Sequence, residues 1–358
     1  MEHIHGGNIT RAVERYNLKE ENIIDFSANI NFLGPPSQLL EEIRNNLAKI
    51  IHYPEPNSTT LKRKMGQYLD LEEKNLVIGN GAVELIYQLV KVIKPDLALV
   101  MAPTFSEYEL AVKSCGGRVK YLRLEEEKGF KIDIEEVVAN LDRVKIVFLC
   151  NPNNPTGTLI KKSELVDLID YASRKDVFVI IDEAFIDFID NPGNYTVIDL
   201  IVRYSNLFVL RSLTKFYAIP GLRLGYGAGT EELISKMELA RDPWSVNFFA
   251  QLAGEIVLKD VEYQKETRRR ISLEREFLYN SLKKIDGLKP FPPSANYIFI
   301  DIGASNFSSI ELAEILARRG ILIRDCSSYR GLGENYIRVA VKSRADNCFL
   351  LDNLREII

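Results

Sequence analysis

The sequence predicts an α/β fold, in which a mostly parallel sheet is covered by helices and a smaller α+β domain follows. Three observations predict it. Apolar runs rich in β-branched residues recur between residues 97 and 210, helical segments separate them, and the pattern changes after about residue 230. Continuous apolar strands that alternate with amphipathic helices are typical of a parallel sheet buried on both faces.

The strands predicted for the sheet are short and bounded by turn residues. They read LALVM, KIVFLC, VFVII and LFVL, and the segment SELVDLIDYASRK has helical periodicity. After residue 230, EELISKMELAR and the long segment 250–285 predict helices, and NYIFIDI and YIRVAVK predict strands. We therefore divide the chain into an N-terminal arm (1–40) that packs with the small domain, a large domain (41–240) and a small domain (241–358).

Composition limits the class of function. The chain has 358 residues, 46% of them hydrophobic, and a formal net charge of -4, which argues against binding nucleic acid or an anionic membrane through bulk charge. Four dispersed cysteines and three histidines predict no zinc site. The first residues resemble no signal peptide and no apolar run has the length of a membrane span, so we expect a cytoplasmic protein.

A lysine lies in a short polar turn after the predicted strand LFVL, in the stretch RSLTKFYAIPGLRLGYG (211–227). Lys215 has Ser212 three residues before it and Arg223 eight residues after it. A lysine at a strand end becomes a nucleophile toward carbonyl groups when its surroundings lower its pKa. A hydroxyl and a guanidinium are suited to binding phosphate, so the stretch favours an aldehyde cofactor that carries a phosphate. Taken alone, TKF is also typical of a surface lysine in a loop.

Two more polar stretches end predicted strands. Asp182, in VIIDEAFIDF (179–188), ends an apolar strand, where a buried carboxylate needs a partner such as a cationic ring nitrogen. A cap on the next helix explains that stretch equally well. In NPNNPTG (151–157), two X-Pro bonds and a glycine predict a rigid turn, and the amide of Asn154 could donate to a cofactor oxygen.

A glycine pair separates a predicted strand from a predicted helix in VIGNGAVELI (77–86). Free backbone N–H groups at the start of that helix would favour a phosphate there. The stretch matches neither G-x-G-x-x-G nor the Walker A pattern, so the pattern argues against a nucleotide-binding site.

These four stretches together resemble the fold-type I pyridoxal-phosphate enzymes, the aspartate aminotransferase superfamily. The resemblance implies that Lys215 binds pyridoxal phosphate covalently, that Asp182 pairs with its pyridine nitrogen and that Asn154 contacts its phenolic oxygen. The remaining cofactor contacts that it implies are Ser212, Arg223, Gly81 and Ala82 at the phosphate and Phe105, in PTFSEY, on the ring.

The resemblance also concerns a second subunit. Tyr53, in HYPEP, stands where relatives send a tyrosine to the phosphate of the other subunit's cofactor, which implies a homodimer. The chain departs from many relatives at Phe185, where they have a tyrosine whose hydroxyl touches the phenolic oxygen. Here that hydrogen bond must be missing or come from another group.

Two subgroups that act on phosphorylated substrates are the most similar, the histidinol-phosphate aminotransferases and the threonine-phosphate decarboxylases of cobalamin biosynthesis. The stretches HGGNI, DFSANINFLGPP, HYPEP and CSSYRGLGENYIRVAVKS resemble the decarboxylases, as does Phe185. The aminotransferases usually read NENP where this chain has SANINF. The resemblance therefore implies decarboxylation of O-phospho-L-threonine, with transamination of histidinol phosphate or a non-catalytic cofactor-binding protein as alternatives.

The decarboxylase resemblance also implies a substrate site. Arg338 is expected near the substrate carboxylate and Arg324 near its phosphate, and both lie in predicted strands where an inward arginine needs an anion. An ordinary salt bridge is the alternative for each. The other implied substrate contacts are His5, Gly6, Asn29 and Asn154. The sequence leaves open whether threonine phosphate or serine phosphate is preferred.

Overall fold

The structure is a computed structural model that describes residues 6–358. Within these residues the chain forms thirteen strands, which make three sheets. In chain order the strands are β1 (Ile24–Asp25), β2 (Leu76–Asn80), β3 (Leu97–Ala102), β4 (Arg118–Arg123), β5 (Ile146–Cys150), β6 (Phe178–Asp182), β7 (Leu207–Ser212), β8 (Leu224–Ala228), β9 (Lys289–Pro290), β10 (Tyr297–Asp301), β11 (Ile321–Leu322), β12 (Arg324–Asp325) and β13 (Tyr336–Ala340).

Thirteen α-helices cover these sheets in the same part of the chain. They are α1 (Ile9–Tyr16), α2 (Ser37–Asn45), α3 (Thr59–Leu69), α4 (Ala82–Ile93), α5 (Glu107–Ser114), α6 (Ile134–Ala139), α7 (Lys162–Ser173), α8 (Leu213–Phe216), α9 (Glu231–Leu239), α10 (Phe248–Val257), α11 (Val261–Leu282), α12 (Ser309–Arg318) and α13 (Arg344–Ile357). None of the helices in residues 6–358 combines the length and the apolar character that crossing a membrane requires.

The largest sheet has seven strands in the order β2-β8-β7-β6-β5-β3-β4. Strands β3 to β7 pair in parallel, and β8 runs antiparallel to both of its neighbours. Alternate residues face opposite sides of the sheet, so Val179 and Ile181 pack in one apolar cluster and Ile180 packs in the other. This arrangement confirms the predicted fold class.

One predicted helix is in fact two. The segment 250–285 is interrupted between Val257 and Val261, where α10 ends and α11 begins. The side chain of Asp260 accepts a hydrogen bond from the backbone N–H of Tyr263 at 3.0 Å. An aspartate in this position satisfies the first N–H groups of a new helix, which explains why the helix restarts there.

The N-terminal arm contacts the C-terminal part of the chain. Strand β1 pairs in parallel with β11, and the backbone oxygen of Phe26 accepts a hydrogen bond from the N–H of Ala340 at 2.8 Å. A separate four-stranded antiparallel sheet, β12-β13-β10-β9, forms next to this pair. These contacts support the proposed packing of the arm with the small domain, and the boundaries at residues 40 and 240 stay a prediction.

Candidate active site

Three adjacent strands of the large sheet end side by side with polar residues. Cys150, Asp182 and Ser212 are the last residues of β5, β6 and β7. The register places Cys150 opposite Asp182, and all three residues are buried. Ligands of such sheets bind at the carboxyl ends of the strands, so this edge is the candidate site.

Lys215 lies in the single turn of helix α8, which follows β7 without a break, rather than in the irregular turn expected from the sequence. Its Nζ lies 3.1 Å from Oγ of Ser212 and 5.9 Å from the ring centre of Phe185. Burial, together with the charge of Arg223, lowers the pKa of Lys215 to about 8, although the charge of Asp182 opposes this. The side chain is therefore an amine with a substantial neutral fraction near neutral pH.

A pH titration should reveal this lowered pKa. In protein freed of cofactor, labelling of Lys215 by trinitrobenzenesulfonate should rise with pH through a midpoint near 8, because only the neutral amine reacts. The rate is read by mass spectrometry of the peptide that contains Lys215. Arg223→Gln should move the midpoint upward, since the charge of Arg223 lowers that pKa. A midpoint near the ordinary lysine value would contradict the expected environment.

Asp182 is buried and held by two hydrogen bonds. Its Oδ2 accepts from the hydroxyl of Tyr108 at 2.6 Å, and its Oδ1 accepts from the backbone N–H of Ala184 at 2.9 Å. Burial raises the pKa of the Asp182 carboxyl, whereas both hydrogen bonds and the charge of Lys215 favour the charged form. A carboxylate accepts about four hydrogen bonds, so this one retains capacity for a further cationic partner.

A backbone cradle forms where β2 meets α4. Gly81 has φ +80°, and a Cβ placed on it would lie 2.3 Å from Nη2 of Arg223. Gly225 in β8 allows a second close approach, because its Cβ would lie 2.4 Å from the backbone nitrogen of Ala82. No side chain caps the start of α4. The first N–H groups of this helix and the guanidinium of Arg223 therefore lie together, as an anion requires.

The turn NPNNPTG uses its three asparagines differently. The side chain of Asn151 bonds to both backbone groups of Ile160, and that of Asn153 donates to the backbone oxygen of Pro103 at 3.1 Å. Both therefore hold the turn in place. Asn154 instead accepts hydrogen bonds from the hydroxyl of Tyr329, at 3.1 Å, and from a guanidinium nitrogen of Arg338. Its side chain connects the turn to Arg338 in β13.

Two arginines face each other across the small sheet. Arg324 in β12 and Arg338 in β13 are directly opposite in the register, and both are buried. Arg324 donates to Oγ of Ser328 at 3.0 Å and lies 5.2 Å from the ring centre of Tyr329. Like charges opposite each other across strands destabilise a sheet. An anion bound between these guanidinium groups would relieve that repulsion.

Arg338 has neutral hydrogen-bond partners. Its Nη1 donates to Asn154 and to the hydroxyl of Tyr329, and its Nη2 donates to the backbone oxygen of Ser27 at 2.7 Å. Within residues 6–358, its Nε is buried without a partner, and so is Oδ1 of the buried Asn29. Buried polar atoms without partners are rare in folded proteins and commonly mark the place of a ligand.

The remaining predicted residues occupy different places. Phe105 packs edge-to-face against Tyr108, with ring centres 5.7 Å apart, and lines a cavity of about 410 Å³ together with Tyr329. Tyr53 is 80% exposed and stacks on Trp244, away from the residues that end the strands. Gly6 lies against Ser27, whereas the predicted His5 is outside the described residues.

Three residues near these groups were not singled out from the sequence. Tyr108 donates to Asp182, Tyr329 donates to Asn154, and Ser27 accepts from Arg338. Tyr108 lies three residues after the predicted Phe105, a spacing that places two residues on one face when the segment is helical. Tyr329 and Ser27 carry no comparable local signal.

Comparison with known proteins identifies a family that this chain matches. The chain matches the aminotransferase class I and II family over residues 21–354. It is 40% identical, over 98% of this chain and 93% of the relative, to a protein of Caldanaerobacter subterraneus subsp. tengcongensis provisionally named a threonine-phosphate decarboxylase. It is 36% identical to the threonine-phosphate decarboxylase of Salmonella typhimurium, over 99% of this chain and 96% of the relative. The solved histidinol-phosphate aminotransferase from Clostridium acetobutylicum is 34% identical, with a TM-score of 0.87, over 93% of this chain and 98% of that one.

Fold and site together define a pyridoxal-phosphate enzyme of fold type I, because adjacent strands of a mostly parallel sheet present an amine of lowered pKa beside a buried carboxylate. The chain belongs to the aminotransferase class I and II family. This membership confirms the predicted cofactor and the prediction that the chain is an enzyme. The two relatives confirm the predicted resemblance to threonine-phosphate decarboxylases.

The residues present fit pyridoxal phosphate. Lys215 would offer an amine to the aldehyde, the carboxyl of Asp182 would face a ring nitrogen, and the cradle at Gly81 has no room for a side chain beside Arg223. Ser212 is buried beside them, with Oγ 2.8 Å from the hydroxyl of Thr214. A phosphate, an aldehyde and a basic ring nitrogen would each meet a suited group at this edge of the sheet.

Proposed function

We propose that this protein decarboxylates O-phospho-L-threonine to (R)-1-amino-2-propanol O-2-phosphate, which would serve cobalamin biosynthesis. The observation that carries the proposal is Arg338, which is buried, has only neutral partners and has an Nε without any. A buried guanidinium without a counter-ion is costly, and a substrate carboxylate would supply one. The names of the two decarboxylase relatives support the same reaction.

The second arginine supports a substrate with two anionic groups. Arg324 faces Arg338 across the strands, so the two guanidinium groups would suit a phosphate and a carboxylate of one small molecule. Asn29, with its unpartnered Oδ1, and Gly6 lie on the segments that meet Arg338 through Ser27. We assign the carboxylate to Arg338 and the phosphate to Arg324, together with His5, Gly6, Asn29 and Asn154.

Different residues of the chain would have different roles in the reaction. Pyridoxal phosphate, when bound, withdraws electrons from the bond that breaks at the α-carbon. Arg324 and Arg338 would fix the orientation of the bond between the α-carbon and the carboxylate, which leaves as carbon dioxide. Lys215 would then deliver a proton to the α-carbon, a transfer suited to its pKa of about 8. The carboxylate of Asp182, which accepts a hydrogen bond from the hydroxyl of Tyr108, would stabilise a positive charge on the ring nitrogen of the cofactor.

The products distinguish this reaction from transamination. The holoenzyme incubated with O-phospho-L-threonine should release carbon dioxide without 2-oxoglutarate, as followed by gas capture and by mass spectrometry of the amine product. Arg338→Gln should lower kcat/KM by about 10- to 100-fold, because a hydrogen-bonded charge pair to the substrate is lost. Arg344→Gln is the matched control, since Arg344 is exposed and pairs with Glu274. Accumulation of pyridoxamine phosphate without carbon dioxide would contradict the proposal.

Transamination of histidinol phosphate is the second candidate. It is favoured by the 34% identity and the TM-score of 0.87 to the Clostridium acetobutylicum histidinol-phosphate aminotransferase. That substrate also carries a phosphate but bears no carboxylate on its α-carbon, and the acceptor 2-oxoglutarate would supply a carboxylate to Arg338, so the products decide between the two reactions. Glutamate formed from 2-oxoglutarate with histidinol phosphate as amino donor would establish this activity.

We also propose that two copies of the chain form a homodimer in which Tyr53 reaches the neighbouring cofactor phosphate. Tyr53 is 80% exposed and is preceded by exposed apolar side chains, Ile50 at 73% and Ile51 at 80%. Exposed apolar groups that cluster in this way are typical of an interface. The mass of the protein in solution, measured by sedimentation, tests the dimer.

A further inference from the structure

The segment 24–31 connects the small sheet to the lysine. Next to β1, the backbone oxygen of Phe26 accepts from the N–H of Ala340 in β13, the strand that carries Arg338, at 2.8 Å. At the other end, the N–H of Asn31 donates to the backbone oxygen of Lys215 at 3.1 Å. Residues 27–30 are therefore fixed at both ends by elements that carry site residues.

Ser27 makes hydrogen bonds through both its backbone and its side chain. Its backbone oxygen accepts from Nη2 of Arg338 at 2.7 Å, and its Oγ accepts from the N–H of Gly7 at 2.9 Å. The same hydroxyl donates to Oδ1 of Asp25 at 2.6 Å. Because Asp25 takes the hydroxyl hydrogen, a lone pair of Oγ is left to face Gly7. Ser27 is itself buried, so water does not compete easily for these bonds.

Gly6 packs directly on the same residue. A Cβ on Gly6 would lie 2.3 Å from the backbone oxygen of Ser27 and 2.8 Å from its Oγ. The oxygen that Gly6 approaches is also the acceptor for Arg338. A single residue thus contacts both the stretch HGGN and the guanidinium of Arg338.

We propose that Ser27 is a positioning residue that sets the loop at residues 6–8 relative to Arg338. The inference rests on the proposed function, in which Gly6 contacts the substrate phosphate and Arg338 contacts the carboxylate. Both anions belong to one small molecule, so the spacing between their binding groups decides whether both are held at once. Ser27 would therefore select amino acids that carry a phosphate ester over those that do not.

The test compares Ser27→Ala with the wild-type holoenzyme. The variant keeps the backbone oxygen that serves Arg338 and removes only the hydroxyl link to Gly7 and Asp25. The KM for O-phospho-L-threonine should rise about five-fold, as expected for one lost hydrogen bond, while kcat stays within about two-fold. Amide hydrogen exchange at residues 6–8, measured without substrate, should become about five-fold faster.

Two further variants separate positioning from a general loss of stability. Ser308→Ala removes a hydroxyl that accepts from the N–H of Glu311 at the start of α12, and it should leave KM and the exchange of residues 6–8 unchanged. Ser27→Cys retains a weak donor and acceptor at this position in a somewhat larger side chain, so it should raise KM less than Ser27→Ala does. If Ser27→Ala does not fold, KM and the amide exchange of residues 6–8 are measured on Ser27→Cys instead.

The outcomes distinguish the two proposals. Unchanged exchange at residues 6–8 in both Ser27 variants, or faster exchange with an unchanged KM, would overturn the role of Ser27. A wild-type enzyme that releases no carbon dioxide from O-phospho-L-threonine would overturn the proposed function instead. The exchange measurement needs no substrate and no activity, so it still decides whether Ser27 orders the loop.

Discussion

Lys215→Ala should lower the rate of carbon dioxide release by about 10⁴-fold or more, the upper range for loss of a positioned proton-transfer group. The variant loses both the nucleophile that binds the aldehyde and the amine proposed to protonate the α-carbon. The lowered pKa, about 8, suits the amine to both roles near neutral pH. The rate is measured by single-turnover release of labelled carbon dioxide from O-phospho-L-threonine.

The control variant changes a lysine on the protein surface. Lys131 is exposed, so Lys131→Ala should retain wild-type activity. Borohydride treatment should fix the cofactor to the wild-type chain and to the Lys131 variant, but not to the Lys215 variant, as seen in the mass of the peptide that contains residue 215. A Lys215 variant that is still labelled, or that keeps near wild-type activity, would disprove the assignment.

Asp182→Asn should lower kcat by about 10²–10³-fold, on the basis of about 3–5 kcal/mol for breaking a buried charge pair. The asparagine keeps the shape of the side chain but removes the negative charge that would hold a protonated ring nitrogen. A second effect should appear in the cofactor-free protein. The charge of Asp182 raises the pKa of Lys215, so the labelling midpoint of Lys215 should fall below about 8 in the variant.

Tyr108→Phe is the matched control for this charge. It removes the 2.6 Å hydrogen bond to Oδ2 of Asp182 but leaves the carboxylate and its bond from the N–H of Ala184. We expect a loss in kcat of about 10- to 100-fold, because a hydrogen bond to a charged group contributes about 1.5–3 kcal/mol. If Tyr108→Phe is more damaging than Asp182→Asn, the charge of Asp182 is not what the reaction requires.

Local patterns accounted for the architecture of the large domain. The apolar runs predicted at residues 97–101 and 207–210 are the cores of strands Leu97–Ala102 and Leu207–Ser212. The side chains of a buried strand contact apolar neighbours on both faces, so the run itself carries the signal. The interruption at Asp260 was missed because a helix cap competes with the surrounding helical periodicity over only a few residues.

Part of the candidate site could also be predicted from local sequence patterns. Lys215 and Asp182 immediately follow or end strands, and the carboxyl ends of parallel strands meet at one edge. The bonds that hold these groups join distant residues. Tyr108 lies 74 positions before Asp182, and the Asn154–Arg338 pair spans 184 positions. No periodicity connects positions so far apart.

The sequence by itself determined the alternation of strands and helices in the large domain, the placing of Lys215 and Asp182 near strand ends, and the resemblance to a phosphate-carrying cofactor site. Each depends on neighbours along the chain, where spacing is set by backbone geometry. Only the tertiary structure decided that Arg324 and Arg338 oppose each other and that Ser27 joins Gly7 to Arg338. Those contacts depend on how the arm and the small sheet pack, which long-range burial controls and local pattern does not.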